Sequence, residues 1–301
     1  MDSTRVKELF SQINVWTKGS ERAPHKPLLI LYELAKCAKD EPREIPFSQI
    51  NPDLTELLKE FSPVRKSYHP EYPFWWLQND SIWELSRTTG MEQRKGGTIP
   101  KKSELLKHNV SGGFPEEIYQ ALSRDRSLIR TIAQQLLNSS CPESIHEDIL
   151  AATGLDIADE VPIRGKRDPQ FRRRIMTAYE HQCAICGFDV RLGSVQVGLE
   201  AAHIMWHQAG GPSTENNGLA LCVLHHKLFD LGGFTVTSHL NVLISEQLHG
   251  RQGFRESLLV FHGQPIRHPQ NPNYLPERKY LTWHEQEVFK KPARWLKEAR
   301  I

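Results

Sequence analysis

A short stretch of the chain, GLALCVLHHKLFD (residues 218–230), concentrates side chains that bind metal ions or carry protons. Thiolates and imidazoles are the usual ligands of zinc, and a neutral imidazole also accepts a proton near pH 7. One metal ion can use two or three of these groups, whereas a buried polar cluster uses one or two. The chemistry of the stretch therefore depends on what the rest of the chain supplies. The four side chains concerned are Cys222, His225, His226 and Asp230.

Two pairs of these metal-binding residues repeat one three-residue offset. Cys183 and Cys186 form a C-x-x-C knuckle in YEHQCAICGFDV, and Cys222 and His225 form the second pair. Such a knuckle lets two thiolates share one tetrahedral ion, so the pairs predict a structural zinc site of three cysteines and one histidine. The alternative is a pair of reduced, buried cysteines next to a core histidine, and the second matched knuckle makes this alternative less favoured.

If His225 binds zinc, the adjacent His226 is available for another role. LEAAHIMWH (199–207) places His203 on an apolar, strand-like run, and GGPSTENNGLALC places Asn217 just before the second knuckle. The order His203, Asn217, His226 around that knuckle resembles the HNH nuclease family. The resemblance covers residues 169 to about 235, and it implies a ββα-metal fold in which a hairpin and a helix carry the triad.

The same resemblance implies a role for each member of the triad. His203 would activate water, Asn217 would orient the loop and the base, and His226 would bind one Mg²⁺, Mn²⁺ or similar ion. The residue types suit the chemistry, because a neutral imidazole can take a proton from water. A divalent ion can stabilise the charge that develops on the phosphate and on the departing 3′ oxygen.

The sequence departs from the commonest HNH pattern at one position. Many members carry an acidic metal ligand directly before the first histidine, where this chain has Ala202. Asp230 follows His226 by four residues, so the two share one face of a helix. Glu200 precedes His203 by three residues. Either carboxylate could complete the metal site, and Asp230 is slightly favoured, although a helix-surface charge explains Asp230 equally well.

Length, composition and cysteine usage limit the class of protein. The chain has 301 residues, enough for two domains, and its 39% hydrophobic and 25% charged residues are typical of a globular protein. The formal net charge is only +2, but RGKRDPQFRRR (164–174) suits phosphates or a solvated linker. Five cysteines without an export signal indicate a reducing compartment. The apolar run PLLILY (27–32) is far too short to span a membrane, so we expect a cytoplasmic protein.

The first half of the chain has mainly helical patterns. Apolar residues recur at helical spacing over 3–16, Pro27 fits the first turn of a second and central helix, and Asn51 with Pro52 can begin a third. PFWWLQNDSIWELS (73–86) contains two β-prone runs around a polar turn, which predicts a hairpin. Three helices followed by a hairpin indicate a winged-helix-like domain.

These patterns predict an α+β protein with two folded parts. The first is a mainly helical, winged-helix-like DNA-reading domain, closed by helical patterns over residues 115–138. The second is the ββα-metal nuclease domain with its structural zinc and a C-terminal extension. The expected boundaries are 1–140 for the first domain, 141–168 for a linker and 169–301 for the nuclease domain.

The first part of the chain resembles the McrA-like, modification-dependent restriction endonucleases, in particular those whose sulfur-binding domain recognises phosphorothioate DNA. The resemblance rests on APHKPLLILYEL (23–34), YHPEYPFWWL (68–77) and HNVSGGFP (108–115). It implies cleavage of double-stranded DNA near a phosphorothioate, in a bacterial or archaeal cytoplasm. A homodimer is possible because one HNH site cuts one strand.

The physical demands of a phosphorothioate suggest which residues read it. Sulfur is larger, softer and less hydrated than oxygen while the backbone stays anionic, so a reader needs an apolar concavity beside cations or amide donors. Glycines let backbone amides approach phosphate oxygens closely. For two of the candidates a structural role is the alternative, because Tyr72 could lie in the core and Pro73 could begin a strand. The candidates are His25, Lys26, Tyr72, Pro73, Asn109, Ser111, Gly112 and Gly113.

Two other functions remain open from the sequence. Recognition of a methylated or otherwise modified base requires a flipped base in an aromatic cage, which Trp75, Trp76 and Trp83 could form. A non-catalytic DNA-binding protein with a purely structural zinc is the other. The complete His-Asn-His triad argues against the second function, whereas Ala202 leaves it open.

Overall fold

The computed structural model shows two compact units, Met1–Ile163 and Arg164–Ile301. Each unit combines helices with small sheets, so the chain is of mixed helix and sheet class. Among the described residues no helix is both long and apolar enough to cross a membrane. The structure describes residues 1–14, 17–18, 21–22, 24–94, 97–156 and 169–295.

The described part of the first unit is mainly helical. Its helices are α1 (Ser3–Ser11), α2 (His25–Ala38), α3 (Phe47–Phe61), α4 (Glu71–Trp76), α5 (Lys102–Lys107), α6 (Glu116–Arg124), α7 (Arg126–Ser140) and α8 (His146–Thr153). Its strands are β1 (Thr17–Lys18), β2 (Glu21–Arg22), β3 (Ile45–Pro46), β4 (Glu84–Leu85) and β5 (Ser111–Gly113). The strands β1 and β2 pair with each other, and β5 lies between β3 and β4 in an antiparallel sheet.

Helix α2 forms the centre of the first unit, as its apolar sequence predicts. Its residues Leu28, Leu29 and Leu34 are fully buried, because α3, α4, α6, α7 and α8 all pack against it. Pro27 lies in the first turn, where a missing amide costs no helical hydrogen bond. Helix α1 ends at Ser11, before the predicted end at Trp16, which lies outside the described residues.

Helix α3 begins one turn earlier than predicted. It starts at Phe47, so Asn51 does not cap it and Pro52 lies inside it. The additional turn is stabilised by burial, since Phe47 and Ile50 are completely buried. The amide of Phe47 also donates a 2.8 Å hydrogen bond to the carbonyl of Val110. Tertiary packing thus outweighs the local signal of the Asn-Pro pair.

The prediction of a hairpin over residues 73–86 is wrong. Helix α4 and a 3-10 turn, Leu77–Asp80, take up its first part, and only β4 in its second part is a strand. Phe74 and Leu77 are fully buried, because α4 packs against α2. Their spacing is helical, and burial of that face overrides the β propensity of the aromatic run. The winged-helix arrangement is therefore not confirmed.

The first part of the predicted linker, residues 141–168, is folded. A 3-10 turn, Glu143–Ile145, leads into α8, and Ile145 and Ile149 are buried. Helix α8 packs against α2 and α3, so these residues extend the core of the first unit. Residues 157–168, with the start of the basic stretch RGKRDPQFRRR, lie outside the described residues.

The second unit is organised around a two-stranded hairpin. Its helices are α9 (Pro169–Ala178), α10 (Val223–Asp230), α11 (Gln252–Ser257) and α12 (Arg278–Glu287). Its strands are β6 (Arg191–Leu192), β7 (Val195–Gln196), β8 (Leu199–His203), β9 (Gly218–Cys222), β10 (Phe234–Val236) and β11 (Val242–Ile244). Strands β8 and β9 pair from Leu199↔Cys222 to His203↔Gly218, and α9 and α10 both contact them. This hairpin and the helix that follows it position the site.

Candidate functional site

Three thiols and one imidazole form a buried cluster in the second unit. One ligand atom from each of Cys183, Cys186, Cys222 and His225 lies within 4.8 Å of the others. The Nδ1 atom of His225 is 3.1 Å from the Cys222 sulfur and 3.7 Å from the Cys183 sulfur. Among the described residues no other group of this kind is found. The structure thus brings both predicted knuckles together.

Local backbone geometry places these four ligands. The amide of Gly187 donates to the carbonyl of Cys183 across a turn that needs the positive φ of 74° at this glycine. Ala184 donates a 2.7 Å hydrogen bond to Ala220, which fastens the knuckle to β9. Cys222 ends β9 and immediately precedes α10. The Nε2 atom of His225 donates to the Ser257 carbonyl at 2.9 Å, so Nδ1 faces the thiols.

The electrostatics of the cluster favour a bound cation. Hydrogen bonds with Cys186 and Cys222 hold the pKa of the Cys183 thiol far below its usual value. Burial alone has the opposite effect, as it raises the pKa of Cys141 to about 12. For His225 burial lowers the pKa, because it disfavours the charged imidazolium. The neighbouring Cys183 and Cys186 outweigh burial and raise the pKa of His225 to about 9. Three sulfur atoms and one imidazole nitrogen that all lie within 4.8 Å of one another form a donor set that fits zinc.

His203 is the last residue of β8 and packs against α9. Its ring stacks on Phe171, with centroids 4.1 Å apart and planes 16° from parallel. Its Nε2 atom lies 3.1 Å from the hydroxyl oxygen of Ser213. The guanidinium of Arg174 donates a 2.6 Å hydrogen bond to the carbonyl of Ser213 and forms a salt bridge with Glu215 at 3.2 Å. Ser213 belongs to no motif, so its contact with His203 could not be predicted from the sequence.

Asn217 is completely buried and fixes the loop that follows His203. Its side-chain oxygen accepts from the amide of Met205 at 2.8 Å. Its side-chain nitrogen donates to the carbonyls of Met205 and Pro212, at 3.0 and 2.9 Å. The carbonyl of Asn217 accepts from Ile204 at 3.0 Å. The asparagine therefore joins both ends of the loop between His203 and Ser213.

His226 lies between two carboxylates. Its Nδ1 atom is 2.8 Å from Glu200 of β8, and its Nε2 atom is 3.1 Å from Asp230, one turn later in α10. The second oxygen of Asp230 accepts from the indole nitrogen of Trp206 at 3.0 Å. Burial lowers the pKa of His226, but Asp230 and then Glu200 outweigh it and raise the pKa to about 9.

The two carboxylates differ in accessibility. The Asp230 side chain is 2% exposed, whereas that of Glu200 is 29% exposed. Since successive strand residues point to opposite faces, Glu200 and His203 lie on opposite faces of β8. Their contacts agree, because Glu200 meets His226 of α10 and His203 meets Phe171 of α9.

In the first unit, His25 begins α2 in a partly buried position. Burial, helped by the nearby charges of Arg65 and His69, lowers the pKa of His25 to about 4. The His25 ring is therefore neutral at pH 7, with the guanidinium of Arg65 nearby. His69 stacks on Tyr72, with centroids 4.8 Å apart, and the Tyr72 side chain is 37% exposed.

A buried carboxylate organises the neighbouring groups. Glu71 is 3% exposed and accepts from His69 at 2.9 Å and from Arg94 at 3.4 Å. Arg94 lies over the Tyr72 ring, 5.3 Å from its centroid, and its guanidinium also bonds the Tyr72 hydroxyl. Pro73, which follows Tyr72 in the sequence, is buried within α4 and does not begin a strand. Glu71, His69 and Arg94 form no motif, so sequence reasoning missed them.

Lys26 is held within the first unit. Its ammonium is 2.5 Å from Asp80 and 2.9 Å from the carbonyl of Asn14. The two charged side chains are only 14% and 4% exposed. The charge of Lys26 is thus largely compensated by Asp80, which contrasts with the phosphate contact expected from the sequence.

The glycine-containing candidates have structural explanations. A Cβ atom at Gly112 would lie 2.7 Å from the Trp83 ring, and one at Gly113 would lie 1.8 Å from the Arg43 carbonyl oxygen. The amide of Ser111 donates to the hydroxyl oxygen of Ser86, and the amide of Ser86 donates to the carbonyl of Ser111, both at 2.9 Å. Asn109 adopts a left-handed conformation with a φ of 45°. These residues shape the central strand β5.

An aromatic cage from the three tryptophans is not formed. Trp83 is 2% exposed and packs edge-on against Phe74 and Phe114, so its ring belongs to the core. Trp76 is 38% exposed, and Trp75 is partly buried.

Two family models match the chain. The family described as ScoMcrA-like, DNA sulfur-binding domain, matches residues 3–158, and the HNH endonuclease family matches residues 183–237. No curated protein matches the chain.

Several solved structures are similar to parts of the chain. The sulfur binding domain of ScoMcrA complexed with phosphorothioated DNA is 21% identical, over 48% of this chain and 93% of that one, with a TM-score of 0.44. The corresponding domain of SprMcrA in such a complex is 18% identical, over 52% and 95%, with a TM-score of 0.43. The modification dependent TagI restriction endonuclease is 22% identical, over 44% and 41%, with a TM-score of 0.29. The chain covers 25% of the ScoMcrA restriction endonuclease.

Proposed function

Because the chain belongs to the ScoMcrA-like DNA sulfur-binding domain family and carries an HNH endonuclease domain, we propose that it is a modification-dependent restriction endonuclease. It binds double-stranded DNA that contains a phosphorothioate and hydrolyses phosphodiester bonds nearby. The observation that carries the proposal is His226 between Glu200 and Asp230, at the hairpin whose first strand ends at His203. A purely structural zinc module has no need for that arrangement.

His203 takes the proton from the attacking water. A general base must meet the water at hydrogen-bond distance, which requires a fixed ring. The stack on Phe171 fixes the plane of the imidazole, and Ser213 holds its Nε2 atom. Asn217 positions His203 indirectly, since its hydrogen bonds set the loop that carries Ser213.

His226 and Glu200 are the residues that would hold a divalent ion. The Nδ1 atom of His226 and a carboxylate oxygen of Glu200 face each other at 2.8 Å, and Glu200 is the more exposed of the two carboxylates. Asp230 instead orients the ring, because it is buried and its two oxygens already accept from His226 and Trp206. Glu200 thus replaces Asp230, which the residue spacing slightly favoured as the ligand. When bound, a Mg²⁺ or Mn²⁺ ion would stabilise the charge on the phosphate and the 3′ oxygen.

The cluster of Cys183, Cys186, Cys222 and His225 would hold a structural zinc. It joins the knuckle to the junction of β9 with α10 and thereby fixes the start of the helix that carries His226. A closed site of this type contributes folding free energy and takes no part in the chemistry.

The first unit reads the modified backbone. His25 offers a neutral ring, and Tyr72 offers an exposed aromatic surface, which suit a poorly hydrated sulfur. Arg94 supplies positive charge beside Tyr72 for the remaining anionic oxygen. Pro73 supports this surface from within α4.

The test is cleavage of phosphorothioated, methylated and unmodified plasmids of one sequence, with Mg²⁺ or Mn²⁺. We expect cleavage of the phosphorothioated plasmid alone, and we expect His203→Ala to slow it by roughly 10²- to 10⁴-fold. DNA binding by this variant should be unchanged. Equal cleavage of all three plasmids would contradict the proposal, and cleavage of the methylated plasmid alone would favour recognition of a modified base.

A further inference from the structure

A buried carboxylate, Glu71, lies next to the side chains that we propose read DNA, namely His25, Tyr72 and Arg94. It belongs to the first turn of α4 and is only 3% exposed, whereas the adjacent Tyr72 is 37% exposed. Its Oε1 atom accepts hydrogen bonds from His69 at 2.9 Å and from Arg94 at 3.4 Å. Its Oε2 atom is buried and has no hydrogen-bond partner among the described residues. Because such an oxygen reduces stability, the fold alone does not explain this carboxylate.

The charge of Glu71 compensates that of Arg94. The guanidinium of Arg94 lies over the Tyr72 ring, 5.3 Å from its centroid, and also bonds the Tyr72 hydroxyl. The backbone of Arg94 is held as well, since its amide donates to Ile99 at 3.0 Å and its carbonyl accepts from Gly97 at 2.9 Å. The Arg94 side chain is 38% exposed, so it is accessible to a phosphate. A phosphate that approaches Arg94 must therefore compete with a carboxylate that is already in place.

We propose that Glu71 is a specificity-determining residue, which keeps binding to unmodified DNA weak by compensating the charge of Arg94. Phosphate and phosphorothioate carry the same net charge, so the carboxylate weakens the binding of both backbones. The apolar contact of the sulfur with His25 and Tyr72 offsets this loss for phosphorothioate DNA alone. Since a genome offers a vast excess of ordinary phosphates, a protein that searches for rare modified ones requires weak binding to the rest.

This role of Glu71 rests on the proposed function, because it assumes that the first unit reads phosphorothioate DNA. The direct effect of the carboxylate concerns binding, however, and can be measured on ordinary DNA without any cleavage. Equal affinity of the wild-type protein for modified and ordinary duplexes would contradict the proposed function, whatever the effect of Glu71. A variant without the charge that gains no affinity would contradict the role of Glu71 alone.

The test is an anisotropy titration of the full-length protein, without divalent ions, against one duplex with and without a single phosphorothioate. Glu71→Gln removes the charge and preserves the shape of the side chain. We expect this variant to bind both duplexes roughly 10-fold more tightly than the wild type, with little change in the ratio of the two affinities. Glu71→Asp retains the charge and should show no such gain.

Two comparisons separate the local effect from that of net charge. Glu56→Gln is the matched control, because it removes an exposed carboxylate that pairs with Lys59 in the same unit. Its gain in affinity should be smaller than that of Glu71→Gln. In an Arg94→Gln background the gain from Glu71→Gln should also shrink, because the charge that Glu71 compensates is absent.

A Glu71→Gln variant that binds the duplexes no more tightly than the wild type would overturn the proposal. So would a gain of full size in the Arg94→Gln background. Weaker binding together with a lower melting temperature would show that Glu71 has a structural role instead. Should Glu71→Gln not fold, Glu71→Met removes the charge without burying an amide and is titrated in the same way. Loss of the fold in both variants would likewise assign Glu71 a structural role and overturn the proposal.

Discussion

Acid should loosen the support of α10 through His284. This histidine of α12 is completely buried and stacks on Phe229, with ring centroids 3.6 Å apart. Its Nε2 atom donates to the Phe229 carbonyl at 3.0 Å, and its Nδ1 atom accepts from the Thr235 hydroxyl at 2.9 Å. A neutral imidazole satisfies both contacts, whereas a protonated ring would present a donor to Thr235 and a charge to an apolar core. Burial accordingly lowers the pKa of His284 to about 4.

The sign and size of the effect follow from linkage. Since the folded-state pKa lies below the value of 6.5 for an unperturbed histidine, the unfolded chain binds the proton more tightly between pH 6.5 and 4. Stability from this group is complete above pH 6.5 and is lost as the pH falls toward 4. The full loss is about 3 kcal/mol, of which about 2 kcal/mol falls between pH 7 and pH 5.

His284→Gln isolates this contribution. The glutamine retains a donor and an acceptor but does not titrate, so the free-energy difference between wild type and variant should shrink by about 2 kcal/mol from pH 7 to pH 5. Other groups titrate equally in both proteins and cancel. Urea unfolding followed by pulse proteolysis, with the fragments of the two units resolved by mass, gives the required free energies for the second unit.

The control is His239→Gln, which replaces an exposed histidine of the same unit. The decrease measured for His284→Gln between pH 7 and pH 5 should exceed any decrease measured for this control. A His284→Gln difference that stays constant from pH 7 to pH 5 would refute the reasoning, since it would mean that the buried ring titrates alike in both states.

Three further predictions address the proposed cation site, the cysteine–histidine cluster and the DNA-reading surface of the first unit. Asp230→Asn should lower the affinity for Mn²⁺, measured by calorimetry, by roughly 10- to 100-fold, and Glu200→Gln should lower it more. The reverse order would make Asp230 the ligand. Cys183→Ser should remove zinc, measured by atomic absorption, and lower the melting temperature of the second unit, because closed zinc sites supply folding free energy; unchanged metal content and melting would exclude the cluster as a zinc site. Arg94→Gln should weaken binding to both phosphorothioated and ordinary duplexes and reduce the salt slope by about one unit, while Lys26→Gln should leave the slope unchanged and lower stability; a changed slope in Lys26→Gln would show that its charge faces DNA.

Local covalent spacing explains why the second unit could be predicted in detail. A C-x-x-C knuckle closes within one turn, and the Cys222 to His225 offset spans a strand end and the first turn of a helix. Both geometries follow from a few backbone angles, so the spacing of the residues in the sequence is enough to predict them. The same applies to His226 and Asp230, which are one helical turn apart.

Contacts between residues distant in sequence could not be predicted in this way. Glu71 meets Arg94 across 23 positions, and Trp206 meets Asp230 across 24. Whether Asp230 is a ligand or a support depends on that indole, which no spacing rule supplies. The hairpin predicted over 73–86 was wrong for the same reason, namely a contact between residues distant in sequence. Packing against α2 stabilises a helix in a segment whose local sequence suits a strand.

The placement of His203 and Glu200 on opposite faces of β8 is consistent with in-line displacement at phosphorus. His203 ends the strand on the side of α9, while Glu200 and His226 meet on the side of α10. In-line attack requires the nucleophile and the leaving oxygen on opposite sides of the phosphorus atom. In the nuclease that we propose, a phosphate at the end of this strand would therefore meet the proton acceptor on one side and the ligands for a charge-stabilising cation on the other. The hydrogen bonds of Asn217 hold residues 205 and 212 of the loop that follows His203. They thereby fix the position of His203 at the end of β8.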